Sequence, residues 1–245
     1  KFTYSADLNY QYSNKGYNVR VTAFYTKINN QSDVMSFYDD SKNSFTNFAM
    51  TGIDQQHVGV ELGFSLPLPV NGLSIEGVLS AGEYTYTSNP YMVQTIDNSA
   101  EVVRQSTVPY WSKVPLYATY EDAAGMTQFD MDGDGNMIVK GYKKHYVPST
   151  PQIAAQLGFK YNINYWFIEL NAQCFAKSYL DMNPLYRTDF ACKGCFDENG
   201  NLIYNEDVNK GGSEHFYYMT DQEEFKPVFL LNASVGKSWY IKNNQ

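Results

Sequence analysis

The sequence predicts an all-β fold, an antiparallel transmembrane β-barrel present as a fragment of about seven strands. Three observations predict it. Apolar and polar residues alternate with a period of two in seven segments. The connections between those segments are alternately short and long, as in barrels with short turns on one side of a membrane and long loops on the other. The aromatics beside the short connections fall on the apolar face, where an interfacial girdle belongs.

The first segment, residues 2–13, sorts without exception. Phe2, Tyr4, Ala6, Leu8, Tyr10 and Tyr12 alternate with Thr3, Ser5, Asp7, Asn9, Gln11 and Ser13. The second, 17–26, sets Tyr17, Val19, Val21, Ala23 and Tyr25 against Arg20, Thr22 and Thr26. The third, 57–66, sets Val58, Val60, Leu62, Phe64 and Leu66 against His57, Glu61 and Ser65. The fourth, 73–84, carries Leu73, Ile75, Leu79 and Ala81 on one face and Ser74, Glu76 and Ser80 on the other. The fifth, 152–161, carries Ile153, Ala155, Leu157, Phe159 and Tyr161 against Gln156 and Lys160. The sixth, 166–176, carries Trp166, Ile168, Leu170, Ala172 and Cys174 against Glu169, Asn171 and Gln173. The seventh, 228–241, carries Phe229, Leu231, Ala233, Val235 and Trp239 against Asn232, Ser234 and Ser238. Segments of this size cross a bilayer when tilted.

The short connections centre on Asn14-Lys15-Gly16, Pro67 to Gly72 and Asn162-Ile163-Asn164. The long ones run over Lys27 to Gln56, Thr85 to Pro151 and Lys177 to Pro227. Alternation alone also fits a soluble sandwich with one face in its core. The connection pattern, the aromatic placement and the charged opposite face favour a wall between lipid and a wet lumen. A mean hydropathy of −0.44 reads as soluble, but a barrel strand meets lipid with alternate residues only. No run approaches the ~18 apolar residues of a spanning helix. A net charge of −8 argues against nucleic acid. No signal peptide is visible at Lys1. An odd number of strands and a turn-like Lys242-Asn243-Asn244-Gln245 lead us to expect further strands on both sides, since an open edge in hydrocarbon leaves backbone groups unpaired.

Several stretches resemble the C-terminal barrel portion of TonB-dependent outer-membrane receptors, in the form common in Bacteroides and its relatives (Bacteroidota). They are Ser5-Ala6-Asp7-Leu8-Asn9-Tyr10, Thr22-Ala23-Phe24-Tyr25-Thr26-Lys27, the run TGIDQQHVGVELG from Thr51 to Gly63, Thr150-Pro151-Gln152, and Tyr179 to Pro184 followed by Arg187-Thr188. The resemblance implies a bacterial outer-membrane location with extracellular long loops, and a plugged barrel of about 22 strands. It also implies active import of a nutrient such as a glycan, peptide or siderophore, without catalysis. The implied partners are outer-membrane lipid and lipopolysaccharide, TonB through a plug domain not in these residues, and a surface lipoprotein lid. A passive porin or adhesin-like barrel is the alternative. No hydrolase motif frames a Ser–His pair, and no required cofactor is expected.

Opposed charges are expected across the lumen face. If Tyr12 opposes Tyr17, Asn9 opposes Arg20 with Asp7 diagonal to it; Lys160 neighbours Glu169; and Glu61 and Glu76 become like-charged diagonal neighbours. In the third long loop, Cys192 and Cys195 form a C-x-x-C. An exported protein favours a local disulfide there, while Cys174 stays unpaired on the apolar stripe. The loop from Lys177 to Lys226 holds ten acids and five bases, which suits either a solvated rim or a surface that draws cations. Its Tyr residues and those of the other loops also suit glycan stacking.

Asp130, Asp132, Asp134 and Asn136, with Gly135 at the turn, match the opening of a calcium loop. The closing position is Gly141, which supplies no carboxylate, and a plain Asp/Gly hairpin turn fits the same residues. Glu121 or Asp122 would have to complete a site. If calcium binds, it protects this loop from proteolysis in the wild type but not in Asp132→Ala. Equal sensitivity with calcium and with chelator reduces the motif to a turn.

Overall fold

The structure, a computed structural model, describes residues 1–40, 42–97, 99, 101–109, 144–148, 150–188, 191–198, 202–203 and 205–239, and the backbone of 116–121, 127–129 and 139–140. Its strands are β1 (Phe2–Asn14), β2 (Tyr17–Asp39), β3 (Ser44–Pro67), β4 (Leu73–Tyr86), β5 (Tyr91–Ile96), β6 (Val102–Thr107), β7 (Leu116–Glu121), β8 (Thr127–Phe129) and β9 (Val139–Lys140). There follow β10 (Ile153–Ile163), β11 (Trp166–Ala176), β12 (Ser178–Tyr179), β13 (Leu202–Ile203), β14 (Glu224–Phe225) and β15 (Val228–Lys237). One helix, α1 (Gly212–Thr220), and a 3-10 turn, Pro184–Arg187, complete the described elements.

The fold is all-β and antiparallel in its main sheet. Seven strands pair in the order β1-β2-β3-β4-β10-β11-β15, and β5 and β6 extend the sheet beside β3. These seven are the expected segments, met in chain order. Tight turns join them at one end. Lys15 and Gly16 both take positive φ, 48° and 88°, as do Asn164 and Tyr165, 46° and 65°. Two left-handed residues make the two-residue hairpin whose twist suits the flanking strands.

That turn corrects the expected register by two residues. Asn14 faces Tyr17, so Tyr12 faces Val19, and Asn9 faces Thr22 rather than Arg20. Arg20 still reaches Asn9 diagonally, its Nη2 donating to Oδ1 at 3.1 Å, and Thr22 Oγ1 donates to the same oxygen at 2.7 Å. Asp7 faces Phe24 instead of neighbouring Arg20. Glu76 faces Ser65 and Glu61 faces Ser80, so these two carboxylates are not diagonal neighbours. Lys160 does face Glu169. Its Nζ lies 3.2 Å from that carboxylate and 2.5 Å from Glu76, tying three adjacent strands. Such solvent-screened pairs contribute at most about 1 kcal/mol each.

The apolar stripe is open to the outside of the sheet. Even in strands with a neighbour on each side, Val60 is 52 % exposed, and Leu157 and Leu170 are 43 % exposed. Soluble proteins rarely leave an apolar surface this continuous uncovered. At the turn end it carries Tyr12, Tyr17, Trp166 and Trp239, all exposed, with the Lys237 ammonium 4.7 Å from the Trp166 ring centre. The opposite face is mainly polar. Where aromatics occur on it they cover glycines: Phe24 lies on the directly opposed Gly59, and Phe167 on Gly236.

The expected loop from Lys27 to Gln56 is instead a continuation of strands β2 and β3. Each strand inserts one extra residue, Asn30 (φ 54°) in β2 and Gly52 (φ 75°) in β3, and the register shifts there. A single inserted residue reverses which parity faces which side. Beyond the bulges, therefore, Met35, Phe37, Phe48 and Met50 continue the polar face. There they turn inward on a core of Ile53, Tyr86, Met92, Val108 and Leu185. Burying Phe48, Met50 or Met92 contributes roughly 1.5–3 kcal/mol each. The inward parity of the hairpin thus changes character across the bulges: it is polar below them and carries Met35, Phe37, Phe48 and Met50 above them, while Val34, Tyr38 and Phe45 stay exposed on the outer side. The nine residues from Gln31 to Asp39 form an arm roughly 30 Å long beyond the bulge.

Other strand ends coincide with expectation or differ by one or two residues, the C-terminal end of the seventh strand apart. The seventh strand is assigned to Lys237, and residues 240–241 lie outside those described.

Gly72 (φ 79°) rests on the neighbouring turn, where an added Cβ would fall 2.0 Å from the Asn162 carbonyl oxygen. Gly72→Ala is expected to destabilise the protein by about 1–3 kcal/mol, read as a lower urea midpoint in detergent micelles. Gly63→Ala meets nothing within 4 Å and is expected to stay within about 0.5 kcal/mol.

Candidate functional site

The loops at the open end pack into one assembly over the continued polar face. Its floor is two antiparallel segments. Ser178 and Tyr179 of β12 pair with Phe225 and Glu224 of β14, and the Leu180 N–H donates to the Glu223 carbonyl at 2.9 Å. Gln222 locks a third segment to them. Its Nε2 donates to the carbonyls of Tyr146 and Leu180, each at 2.9 Å, while its Oε1 accepts from the Tyr146 N–H at 2.8 Å. The Tyr146 and Tyr179 rings stack face to face, 4.1 Å apart.

Two walls rise from this floor. The 3-10 turn starts where Asn183 caps it, Oδ1 accepting from the Leu185 N–H at 3.0 Å, with Pro184 holding the first position. Helix α1 runs opposite and ends at Asp221, whose N–H donates to the Tyr217 carbonyl. Arg187 joins them. Fully buried, it donates through Nε to the Thr220 carbonyl at 3.0 Å and through Nη1 to the Pro109 carbonyl at 3.2 Å. The β2 arm supplies the third wall with Phe37 and Tyr38. Between the walls is a cleft of about 470 Å³, lined also by Asp181, Tyr186, Tyr218 and Glu223. That volume suits a small-molecule or short-peptide ligand.

The cleft is acidic. Asp181 is open to water in part, yet burial pushes its carboxyl above the usual range, and the charge of Asp33 adds to the push. Burial raises the Tyr86 hydroxyl below it, with Asp181 and Asp33 contributing in the same direction. His145 stacks on Tyr86 at 5.2 Å. Its imidazole is held well below the ordinary value by burial first and by the Arg187 charge second.

The expected site residues fall elsewhere. Asp130, Asp132, Asp134 and Asn136 lie outside the described residues. Among the described residues, no three His, Cys, Asp or Glu side chains are grouped to hold a metal. Cys192 and Cys195, the expected disulfide pair, are both buried and pack with Leu202 and Phe216. The turn that joins them is closed by backbone, the Cys195 N–H donating to the Cys192 carbonyl and the Ile203 N–H to the Cys195 carbonyl. Burial raises the Cys195 thiol, which disfavours the thiolate. Cys174 is a half-buried thiol opposite Ala155 and Phe229.

Sequence reasoning missed the cleft because its walls come from three distant segments. Phe37 and Tyr38 were hidden in a stretch whose alternation the bulges break. Asp181 and Arg187 belong to the Tyr179-to-Thr188 stretch that carried the family resemblance, but nothing local marks one as rim and the other as buried tie. Tyr218, 75 % exposed on α1, had no sequence signal.

Comparison with protein-family models, with characterised proteins and with solved structures found no match.

The buried His145 and Arg187 make two tests. An unfolded imidazole takes up a proton near pH 6.5, whereas the buried one resists it. Its packing therefore contributes stability above that pH and loses it as pH falls toward the depressed folded value. Hydrogen exchange over residues 144–148, corrected for intrinsic rates, should be faster at about pH 5 than at about pH 7.5, and His145→Gln should flatten the difference. Arg187→Met removes two charged hydrogen bonds and should loosen the loop assembly by about 3 kcal/mol. The expected readout is faster proteolysis within 180–226 with the β1–β4 sheet unchanged.

Proposed function

We propose that this chain forms wall and external loops of a bacterial outer-membrane β-barrel that imports a nutrient as a TonB-dependent receptor. The observation that carries the reading is the change in the inward parity across Asn30 and Gly52. Below the bulges the exposed apolar stripe suits lipid and the opposite face suits a wet lumen; above them Met35, Phe37, Phe48 and Met50 pack inward while the outer side mixes Ser32, Ser36 and Asn47 with Val34, Tyr38 and Phe45, as suits a segment where lipid gives way to water. The tight turns at one end and the folded loops at the other match the periplasmic and extracellular sides of such a barrel. Among the described residues β1 and β15 are the edges of the main sheet, and on the barrel reading their backbone groups would need strand partners in hydrocarbon. The TonB-dependent part of the proposal rests on the stretches quoted above. On that reading the partners are lipid, lipopolysaccharide, TonB through a plug and a lipoprotein lid. The role is transport rather than catalysis and requires no cofactor; a calcium ion, if bound, belongs to the external loop of Asp130 to Asn136.

Spin labels placed singly along β11 test the wall in lipid vesicles. Labels at Ile168 and Leu170 are expected to collide with oxygen, which partitions into lipid. Labels at Glu169 and Asn171 are expected to collide with a water-soluble nickel chelate. Loss of this alternation removes the membrane wall. Transport is tested by uptake in cells whose proton-motive force is collapsed: uptake that continues unchanged supports the passive porin instead.

A further inference from the structure

We infer that the cleft between the β2 arm, the 3-10 turn and α1 binds a cationic, partly apolar ligand, of which a short basic peptide is the fitting class. The inference rests on the reading that this loop assembly faces the external medium, and it names the ligand class of that assembly. Two independent features support it. The first is shape and surface: an open cleft of about 470 Å³ has aromatic walls that the protein core does not use, with Tyr218 75 % and Tyr186 44 % exposed. Aromatic faces attract a guanidinium or ammonium group electrostatically and cover the carbon stem beside it.

The second is charge. Among the described residues that line the cleft there is no Lys or Arg, while Asp181, Asp221 and Glu223 are present. Of the cations on the surrounding segments, Lys226 lines a separate cavity beside Glu223, and three others are engaged elsewhere. Lys144 pairs with Glu83, and Lys210 with Asp207; Arg187 is buried and donates to the backbone of Thr220 and Pro109. A ligand's own cation is therefore the natural complement to the carboxylates, and anionic ligands are repelled. Tyr rings with carboxylates also suit a neutral glycan. The uneven charge decides between the two: among the described lining residues three carboxylates face no Lys or Arg, a surplus that a cation complements and a neutral glycan does not.

Full-length protein in detergent micelles should be titrated calorimetrically with triarginine, triglutamate and maltotriose. Triarginine is expected to bind, more weakly as salt rises, and triglutamate is not. The double variant Asp181→Asn/Glu223→Gln, changed only at exposed side chains, should weaken triarginine at least about tenfold. Tyr218→Ala should weaken it as well. Asp207→Asn, on the same acidic stretch but outside the cleft, should leave binding unchanged. Absence of triarginine binding to the wild type, or equal loss in Asp207→Asn and the double variant, overturns the site. Maltotriose binding that depends on Tyr218, with no triarginine binding, overturns the ligand class in favour of a glycan. The measurement needs no transport, so its failure is distinct from failure of the spin-label pattern, which would strike the barrel reading alone.

Discussion

Each residue added to a paired β-strand turns the next side chain to the opposite face. That two-residue period is the constraint on which the rest of this structure depends. Along β1 it is kept without interruption, so one face becomes a band of Leu, Tyr and Phe and the other a band of Asn, Gln, Ser and Asp. The backbone ladder then carries the same division from strand to strand, because opposed residues share a face. Leu8 faces Ala23, Ala23 faces Val60, and Val60 faces Ala81. A slip of one residue anywhere in the ladder would carry charges into the band. The tight turns prevent it: Lys15-Gly16 and Asn164-Tyr165 can close only the pairings Asn14 with Tyr17 and Ile163 with Trp166.

The two bulges use the same constraint to a different end. Placed nearly opposite each other, Asn30 and Gly52 change parity in both strands, so pairing resumes beyond them with the faces exchanged. Without that exchange, Phe48 and Met50 would be exposed on the outer side instead of buried against Met92 and Leu185. With it, the hairpin arm supplies Met35, Phe37, Phe48 and Met50 to the core that Val147 and Leu185 join. Polar ties finish the assembly. Gln222 and Arg187 each join segments remote in sequence through backbone carbonyls, which satisfies groups that irregular chain would otherwise leave unpaired when buried. The cleft is the space these ties leave open.

Where period and turn chemistry are local, the sequence can be read directly. The sixth segment was bounded at 166–176, the same as β11, because Asn164 and Trp166 mark its start and the alternation is unbroken. The Lys160–Glu169 pairing followed from the same hairpin. Reading failed where a single residue carries the information. The missing strand from Lys27 to Asp39 was lost to one left-handed Asn, and the Arg20 partner was misplaced because the length of a turn, two residues or four, decides the register. It failed again where the fold is non-local. Nothing near Phe37 in the sequence points to Tyr186 or Tyr218, and the short pieces β12 and β14 have no period to detect. Cys192 and Cys195 add a non-local feature, since nothing in their spacing points to the packing partners Leu202 and Phe216.

The paired bulges also separate two kinds of freedom. The register of the wall is held by the turns near Gly16 and Gly72 and by β1 and β4 on either side, all on the far side of the bulges from the arm. Residues added to or taken from the arm in matched pairs, one in each strand near the tip between Asp39 and Ser44, therefore change its reach without moving any wall residue to the other face. The hairpin can be lengthened, trimmed or exchanged as a cassette while the sheet beneath it keeps its geometry. Change at the tip of the arm is thus mechanically insulated from the sheet that must stay constant.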